Sequence, residues 1–116
     1  MRKFVYKPWG WYITLEEQKD FKVKRITLHP HQRFSLQYHD HREEHWTVVE
    51  GSGEIIIGDS TAQAAIGSRW IIPTQVIHRA TAGNEGLTFI ETQIGECDEN
   101  DIVRLEDDYN RVTSNK

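Results

Sequence analysis

Histidine is unevenly placed in this chain: His29, His31, His39, His41 and His45 fall within 17 residues, and His78 stands apart. Imidazole titrates near neutral pH and is the commonest protein metal ligand. Gln37 and His39 are two positions apart, so in an extended segment they project side by side and can share one cation. Glu44 stands at the entrance to the apolar run 46–49 and can complete such a site from the next strand. His78 can reach it from a distant strand, beyond a turn at Pro73. Two imidazoles, a carboxylate and an amide oxygen form a borderline nitrogen–oxygen donor set. It suits Zn²⁺, Co²⁺, Mn²⁺ or Fe²⁺ better than Ca²⁺, which prefers oxygen alone. His41 shares the parity of His39, so His39, His41, Glu44 and His78 make an alternative set. His29, His31 and His45 read as solvated polar residues around a loop.

Around these ligands the alternation is regular. Arg33, Ser35, Gln37 and His39 fall on one face of the segment 33–39, and Phe34, Leu36 and Tyr38 on the other. Arg79 follows His78 directly. Lys24 and Arg25 have opposite parity, so one of them points inward, and Lys24 is the candidate. The segment 87–94 puts Leu87, Phe89, Glu91 and Gln93 on one face, apolar first and then polar, as where a barrel's core gives way to its mouth. Cys97 has no histidine near it in sequence to make a catalytic thiol.

The elements that position these groups are short strands. Apolar, β-branched runs at 21–28, 34–39, 46–49, 54–57, 62–66, 70–72, 75–81 and 87–94 are punctuated by Gly, Pro and Asp. Gly51-Ser52-Gly53 and the segment 82–86 read as turns. Such spacing predicts an all-β sandwich or barrel, with no room for the helical crossovers of an α/β fold. The one helical candidate is the acidic segment 99–109. The aromatic segment 5–12 reads as a strand over the core, a subunit interface or a sugar-stacking platform. With 116 residues, the chain makes one domain, 1–116. A net charge of −4 excludes a basic nucleic-acid footprint and a polybasic membrane anchor. No apolar run is long enough to span a bilayer, and Met1-Arg2-Lys3 leads into a strand pattern, not a signal-peptide core. The lone Cys97 demands no oxidising compartment. The expectation is a cytoplasmic domain with neither nucleic acid nor membrane as partner.

These strings resemble the cupins. The first cupin motif runs glycine, five residues, ligand, one residue, His, three or four residues, Glu, six residues, glycine. Here His31, Gln37-Tyr38-His39, Glu44 and Gly51 hold those places. The second is matched at every spacing by Gly67, Pro73, Gln75, His78 and Ala82. The departures are His31 and Gln75 at glycine places, Ala82 at an Asn place and Gln37 at the first His place. Within the cupins, the chain resembles the phosphomannose isomerase domain found at the C-terminus of bifunctional mannose-1-phosphate guanylyltransferases, the type II isomerases. The matching strings are Lys7-Pro8-Trp9-Gly10, Phe21-Lys22-Val23-Lys24-Arg25-Ile26, Ser35-Leu36-Gln37 with His39, and His41-Arg42 with Glu44-His45-Trp46. They continue with Pro73, His78-Arg79, Ile90-Glu91 with Gln93, Asp101-Ile102-Val103-Arg104, and Tyr109 with Arg111. In that family a Gln in a Ser-Leu/Ile-Gln-x-His string is a metal ligand, which favours Gln37 over His41.

The resemblance implies a cupin double-stranded β-helix, a jelly-roll barrel with a short C-terminal helical or irregular segment, here without the guanylyltransferase half. It implies one divalent metal ion, Zn, Co, Mn or Fe, on Gln37, His39, Glu44 and His78. The implied reaction interconverts mannose 6-phosphate and fructose 6-phosphate by moving a proton between C1 and C2 through an enediolate. A metal supplies Lewis-acid stabilisation, and Glu91 or a metal-held water would be the base. Lys24 and Arg79 join Glu91 as catalytic candidates, and Arg33, Ser35 and Gln93 are candidates for binding the substrate, whose phosphate needs cations and hydroxyl donors. The sugar phosphate is the expected partner, and the aromatic edge points to a homodimer. Two further readings share the fold: a non-catalytic sugar- or small-ligand-binding cupin, and a metal-dependent oxygenase, against which Gln37 and the cationic ring argue.

Overall fold

The computed structural model describes residues 3–111; the Met1-Arg2 start and residues 112–116 lie outside the described residues. In chain order the strands are β1 (Phe4–Lys7), β2 (Gly10–Glu17), β3 (Phe21–Leu28), β4 (Leu36–Tyr38) and β5 (Arg42–Ile57). They continue with β6 (Ser60–Ala64), β7 (Arg69–Ile72), β8 (His78–Gly95) and β9 (Val103–Glu106). Among the described residues no helix is long and apolar enough to cross a membrane.

The long strands β5 and β8 organise the fold by pairing twice, 42–51 against 87–95 and 53–57 against 78–82. Around the first pairing the order is β1-β2-β3-β8-β5-β7. Around the second it is β9-β4-β8-β5-β6. One strand pair thus belongs to both layers, and the sheet curls into the all-β barrel that the strand spacing predicted, with the jelly-roll layout that the resemblance implied.

The glycine segments expected to end strands are instead corners within them. A Cβ on Gly51 would lie 2.1 Å from the Gly86 carbonyl oxygen, and one on Gly53 2.1 Å from that of Thr81. Glycine lets β5 bend while the neighbouring backbone stays close. The segment 5–12 also differs from a single strand: a turn at Pro8-Trp9 folds it into the β1–β2 hairpin, with Trp9 buried and Phe4 and Tyr6 exposed. The helix expected over 99–109 does not form. Val103–Glu106 is β9, laid along β4, and turns follow it. An isolated helix of that length is marginal, whereas the open edge of β4 offers backbone partners at once.

The core between the layers is built from Ile26, Leu28, Trp46, Val48, Leu87 and Phe89, among others. Each such burial contributes about 1.5–3 kcal/mol. Three neighbouring strands change character at one level. Inward residues run Leu28, Ile26, Lys24, Lys22 on β3; Leu87, Phe89, Glu91, Gln93 on β8; and Val48, Trp46, Glu44 on β5. The apolar core therefore opens into a polar mouth at one end of the barrel.

Candidate metal centre

Two cross-strand rows build one wall of that mouth: Lys22, Gln93 and Glu44, and beneath them Lys24, Glu91 and Trp46. The facing layer adds a third row, His78, Gln37 and Arg104, across β8, β4 and β9. His39 enters from the end of β4. All of these residues except Lys22 and Trp46 line a cavity of about 440 Å³, to which Trp9, Ile26 and Phe34 add an apolar surface.

His39, Glu44 and His78 are all buried, and their potential ligating atoms lie within 4.8 Å of one another. Glu44 Oε2 is 3.2 Å from His39 Nε2, and Oε1 is 3.7 Å from His78 Nε2. The other ring nitrogens are engaged: Nδ1–H of His39 donates to the Asp101 carbonyl at 2.6 Å, and that of His78 to the Val76 carbonyl at 2.9 Å. A carbonyl only accepts, so Nδ1 carries the proton and the Nε2 lone pair faces the cluster. Two donors about 2.1 Å from one ion and about 100° apart are about 3.2 Å from each other, so the triad fits a divalent transition metal.

The electrostatics agree with that donor set. Burial disfavours the Glu44 carboxylate, but its close contacts with His39, His78 and Arg42 outweigh burial and hold the carboxyl well below its ordinary range. Burial pushes His78 down to about 4 against the pull of Glu44, which leaves it neutral at pH 7, the form that binds metal. Arg42 is a neighbour that the sequence reading did not single out. Its Nε donates to Glu44 Oε2 at 3.0 Å, Nη1 to the Asp98 carbonyl at 3.1 Å, and Nη2 lies 3.3 Å from His39 Nε2. The signal was its position two residues before Glu44, on the same face of one strand.

Gln37 lines the cavity, and its Nε2 donates to Ser35 Oγ at 2.9 Å and to the Ser35 carbonyl at 3.3 Å. That pins the nitrogen end of the amide away from the cluster. His41 is exposed and turned to the Asp101 carboxylate at 3.5 Å, and His45 pairs with Glu43 at 2.6 Å. Neither is brought to the cavity. Glu91 is buried, and the Trp46 indole N–H bridges it to Glu44, 3.1 Å from an oxygen of each. Gln93 Nε2 donates to the other Glu91 oxygen at 2.6 Å. Burial, then the charge of Glu44, pushes Glu91 up to about 7 against Lys24. Lys24 points inward, 4.0 Å above the Tyr12 ring and 2.8 Å from Glu99, while Arg25 lies on the other face against Trp11.

Three expected residues do not line the cavity, and the first, Ser35, is fully buried against the Gln37 amide where no substrate reaches it. Arg33 does not share the cavity: its guanidinium forms two 2.8 Å bonds to the Asp108 carboxylate at the surface. The regular strand begins only at Leu36, and Phe34 and Ser35 are both buried, so the alternation cannot be carried back to Arg33. Arg79 faces away from His78, as neighbours in a strand do, and bonds the Phe34 carbonyl at 2.9 Å and Glu106 at 3.2 Å. The cations that do line the cavity with Lys24 are Lys7, Arg42, Arg104 and Arg111.

The family model described as "Mannose-6-phosphate isomerase C-terminal" matches residues 1–107. The chain belongs to the mannose-6-phosphate isomerase C-terminal family. Relatives of this family member include xanthan biosynthesis protein XanB of Xanthomonas campestris, 44% identical over 93% of this chain and 24% of that protein. Alginate biosynthesis protein AlgA of Pseudomonas aeruginosa is 43% identical over 93% of this chain and 23% of that protein. Mannose-1-phosphate guanylyltransferase ManC of Salmonella typhimurium is 37% identical over 97% and 24%. The chain therefore spans about a quarter of the length of these relatives. Among solved structures, a cupin-2 domain from Rhodospirillum rubrum superposes with a TM-score of 0.75 at 17% identity, over 84% of this chain and 72% of that one. An RmlC-like cupin from Shewanella frigidimarina does so with 0.78 at 17% identity, over 84% and 87%. The fold of this family member is a cupin β-barrel.

Proposed function

We propose that this domain interconverts mannose 6-phosphate and fructose 6-phosphate. The observation that carries the reading is the placement, in one cavity, of the buried His39–Glu44–His78 triad beside a second buried carboxyl, Glu91, that shares the Trp46 N–H with Glu44. A divalent metal on His39, Glu44, His78 and Gln37 would supply Lewis-acid stabilisation of the negative charge that develops on the sugar oxygens.

The remaining work falls to the chain's own side chains. Glu91 takes the carbon-bound proton from one of C1 and C2 and returns it to the other, a task suited to a base near the working pH. Trp46 and Gln93 each hold one of its oxygens, so the carboxylate is fixed in orientation. Lys24, its cross-strand neighbour, supplies compensating positive charge. Trp9, Ile26 and Phe34 keep bulk water from the apolar surface they add to the cavity. A second copy would pack at edge strand β1, where Phe4 and Tyr6 are exposed.

The test is an assay with mannose 6-phosphate across added metals, reading fructose 6-phosphate. Activity is expected to disappear with EDTA and return with Co²⁺, Mn²⁺ or Zn²⁺. His39→Ala and His78→Ala should lose both metal and turnover. Glu91→Gln should keep its metal and lose about 10²–10⁴ in kcat. Folded, metal-loaded protein that forms no fructose 6-phosphate would replace this reading with that of a sugar-binding domain.

A further inference from the structure

Lys7, Arg104 and Arg111 come from three separate parts of the chain, β1, β9 and the segment after β9, and line the cavity that also holds His39, Glu44 and His78. Arg104 is the cross-strand partner of Gln37, which is in turn the partner of His78. Side chains in such a row leave the sheet on one face with Cβ atoms about 5 Å apart. The guanidinium at the end of the row thus begins beside the metal cluster. Arg111 is held from behind: Nε and Nη2 donate to the Asp107 carboxylate at 2.7 and 3.3 Å, and that carboxylate is fully buried. The clamp leaves the two Nη1 N–H groups outside it.

The three cations also feel one another. Burial, then Arg111 and Arg104, lowers the Lys7 ammonium, and burial followed by Arg111 lowers Arg104. Like charges gathered in one wall repel, and an anion among them relieves the repulsion. The same cavity is also lined by the carboxylates of Glu44 and Glu91. A ligand matching both sets of groups has a dianionic group for the cations and neutral oxygens for the side that holds the carboxylates. From this geometry we infer that Lys7, Arg104 and Arg111 seat a phosphate monoester whose sugar chain extends toward His39, Glu44 and His78. The placement of the reacting end rests on the isomerase reading; the phosphate seat replaces Arg33 and Arg79, which face elsewhere.

Calorimetric titration of the metal-loaded full chain with mannose 6-phosphate, inorganic phosphate and mannose tests the seat. Lys7→Met, Arg104→Met and Arg111→Met should each weaken mannose 6-phosphate and inorganic phosphate by about tenfold or more and leave mannose unchanged. Arg69→Met, on the exposed side of β7, should leave all three unchanged. Arg111→Met also frees Asp107, so Lys7→Met, on an edge strand, is decisive when its metal content and melting temperature match the parent. Equal weakening by Arg69→Met, or none by Lys7→Met and Arg104→Met, overturns the seat. The two readings separate cleanly. Variant-sensitive phosphate binding without turnover removes the isomerase and keeps the seat. Turnover whose KM for mannose 6-phosphate is unchanged in Lys7→Met and Arg104→Met keeps the isomerase and removes the seat.

Discussion

The Nδ1–H of His39 donates to the main-chain carbonyl of Asp101 at 2.6 Å, and the Asp101 carboxylate accepts the backbone N–H groups of Asp40 and His41, each at 2.9 Å. One residue of the C-terminal segment thus orients a proposed ligand and ties down the turn that follows it. Asp101→Ala removes the tie and loosens the carbonyl that sets the His39 tautomer. Metal affinity should fall roughly 10- to 100-fold, the usual cost of losing such outer support, as read by competition with a chromophoric chelator. An unchanged affinity would mean that packing alone orients the ring.

Ser35 has the same relation to Gln37. Its side chain is fully buried, and its Oγ and carbonyl both accept from the Gln37 amide. In Ser35→Ala the amide keeps only the longer contact and can rotate. Stability should fall by about 1 kcal/mol, the worth of one hydrogen bond, and metal affinity should fall with it. Urea denaturation and the same chelator competition read the two effects. A loss of stability with metal affinity intact would show that Gln37 is not a ligand.

Glu99 joins Lys22 and Lys24, whose ammonium groups lie 2.9 and 2.8 Å from its carboxylate. Burial would raise this carboxyl, but Lys24 and Lys22 outweigh it and bring it down to about 2. A carboxyl lowered in the folded state contributes stability above its unfolded value, about 4.3, and loses it as pH falls through the folded one. Because Glu99 is half exposed, solvent screens part of the effect. Wild type should exceed Glu99→Gln in stability at pH 7, and the two urea midpoints should converge as pH falls from about 4.5 toward 2. A gap that persists at the acid end would assign the difference to packing.

The level at which the core turns polar was legible because alternation on a regular strand is rigid. Phe89, Glu91 and Gln93 keep one parity along β8, and Gln37 and His39 keep one along β4 and its end. The same rule turns Arg79 away from His78, which its choice as a catalytic candidate overlooked. Arg33 was not, because the chain before Leu36 is no longer a strand and parity lapses there. Lys7, Arg104 and Arg111 reach the cavity through long-range pairing and a late turn. A local pattern says nothing of which strand edge Val103–Glu106 will meet, so an acidic segment read as helix became β9.

The motif's missing glycines offer the last prediction. His31 and Gln75 stand at glycine places, and both adopt the left-handed backbone with φ of 65°. A side chain there costs about 1–2 kcal/mol, while glycine's freedom in the unfolded chain takes back about 0.4–1 kcal/mol. His31 is exposed, and its backbone N–H bonds to the Gly83 carbonyl at 3.2 Å, a contact that glycine retains. His31→Gly should therefore stabilise the fold by up to about 1.5 kcal/mol. Gly53→Ala should do the reverse, because its Cβ would meet the Thr81 carbonyl oxygen at 2.1 Å and force the β5–β8 ladder apart, at a cost above about 2 kcal/mol. Urea midpoints at neutral pH read both. A destabilised His31→Gly would show that the imidazole makes a contact worth more than the strain of its backbone.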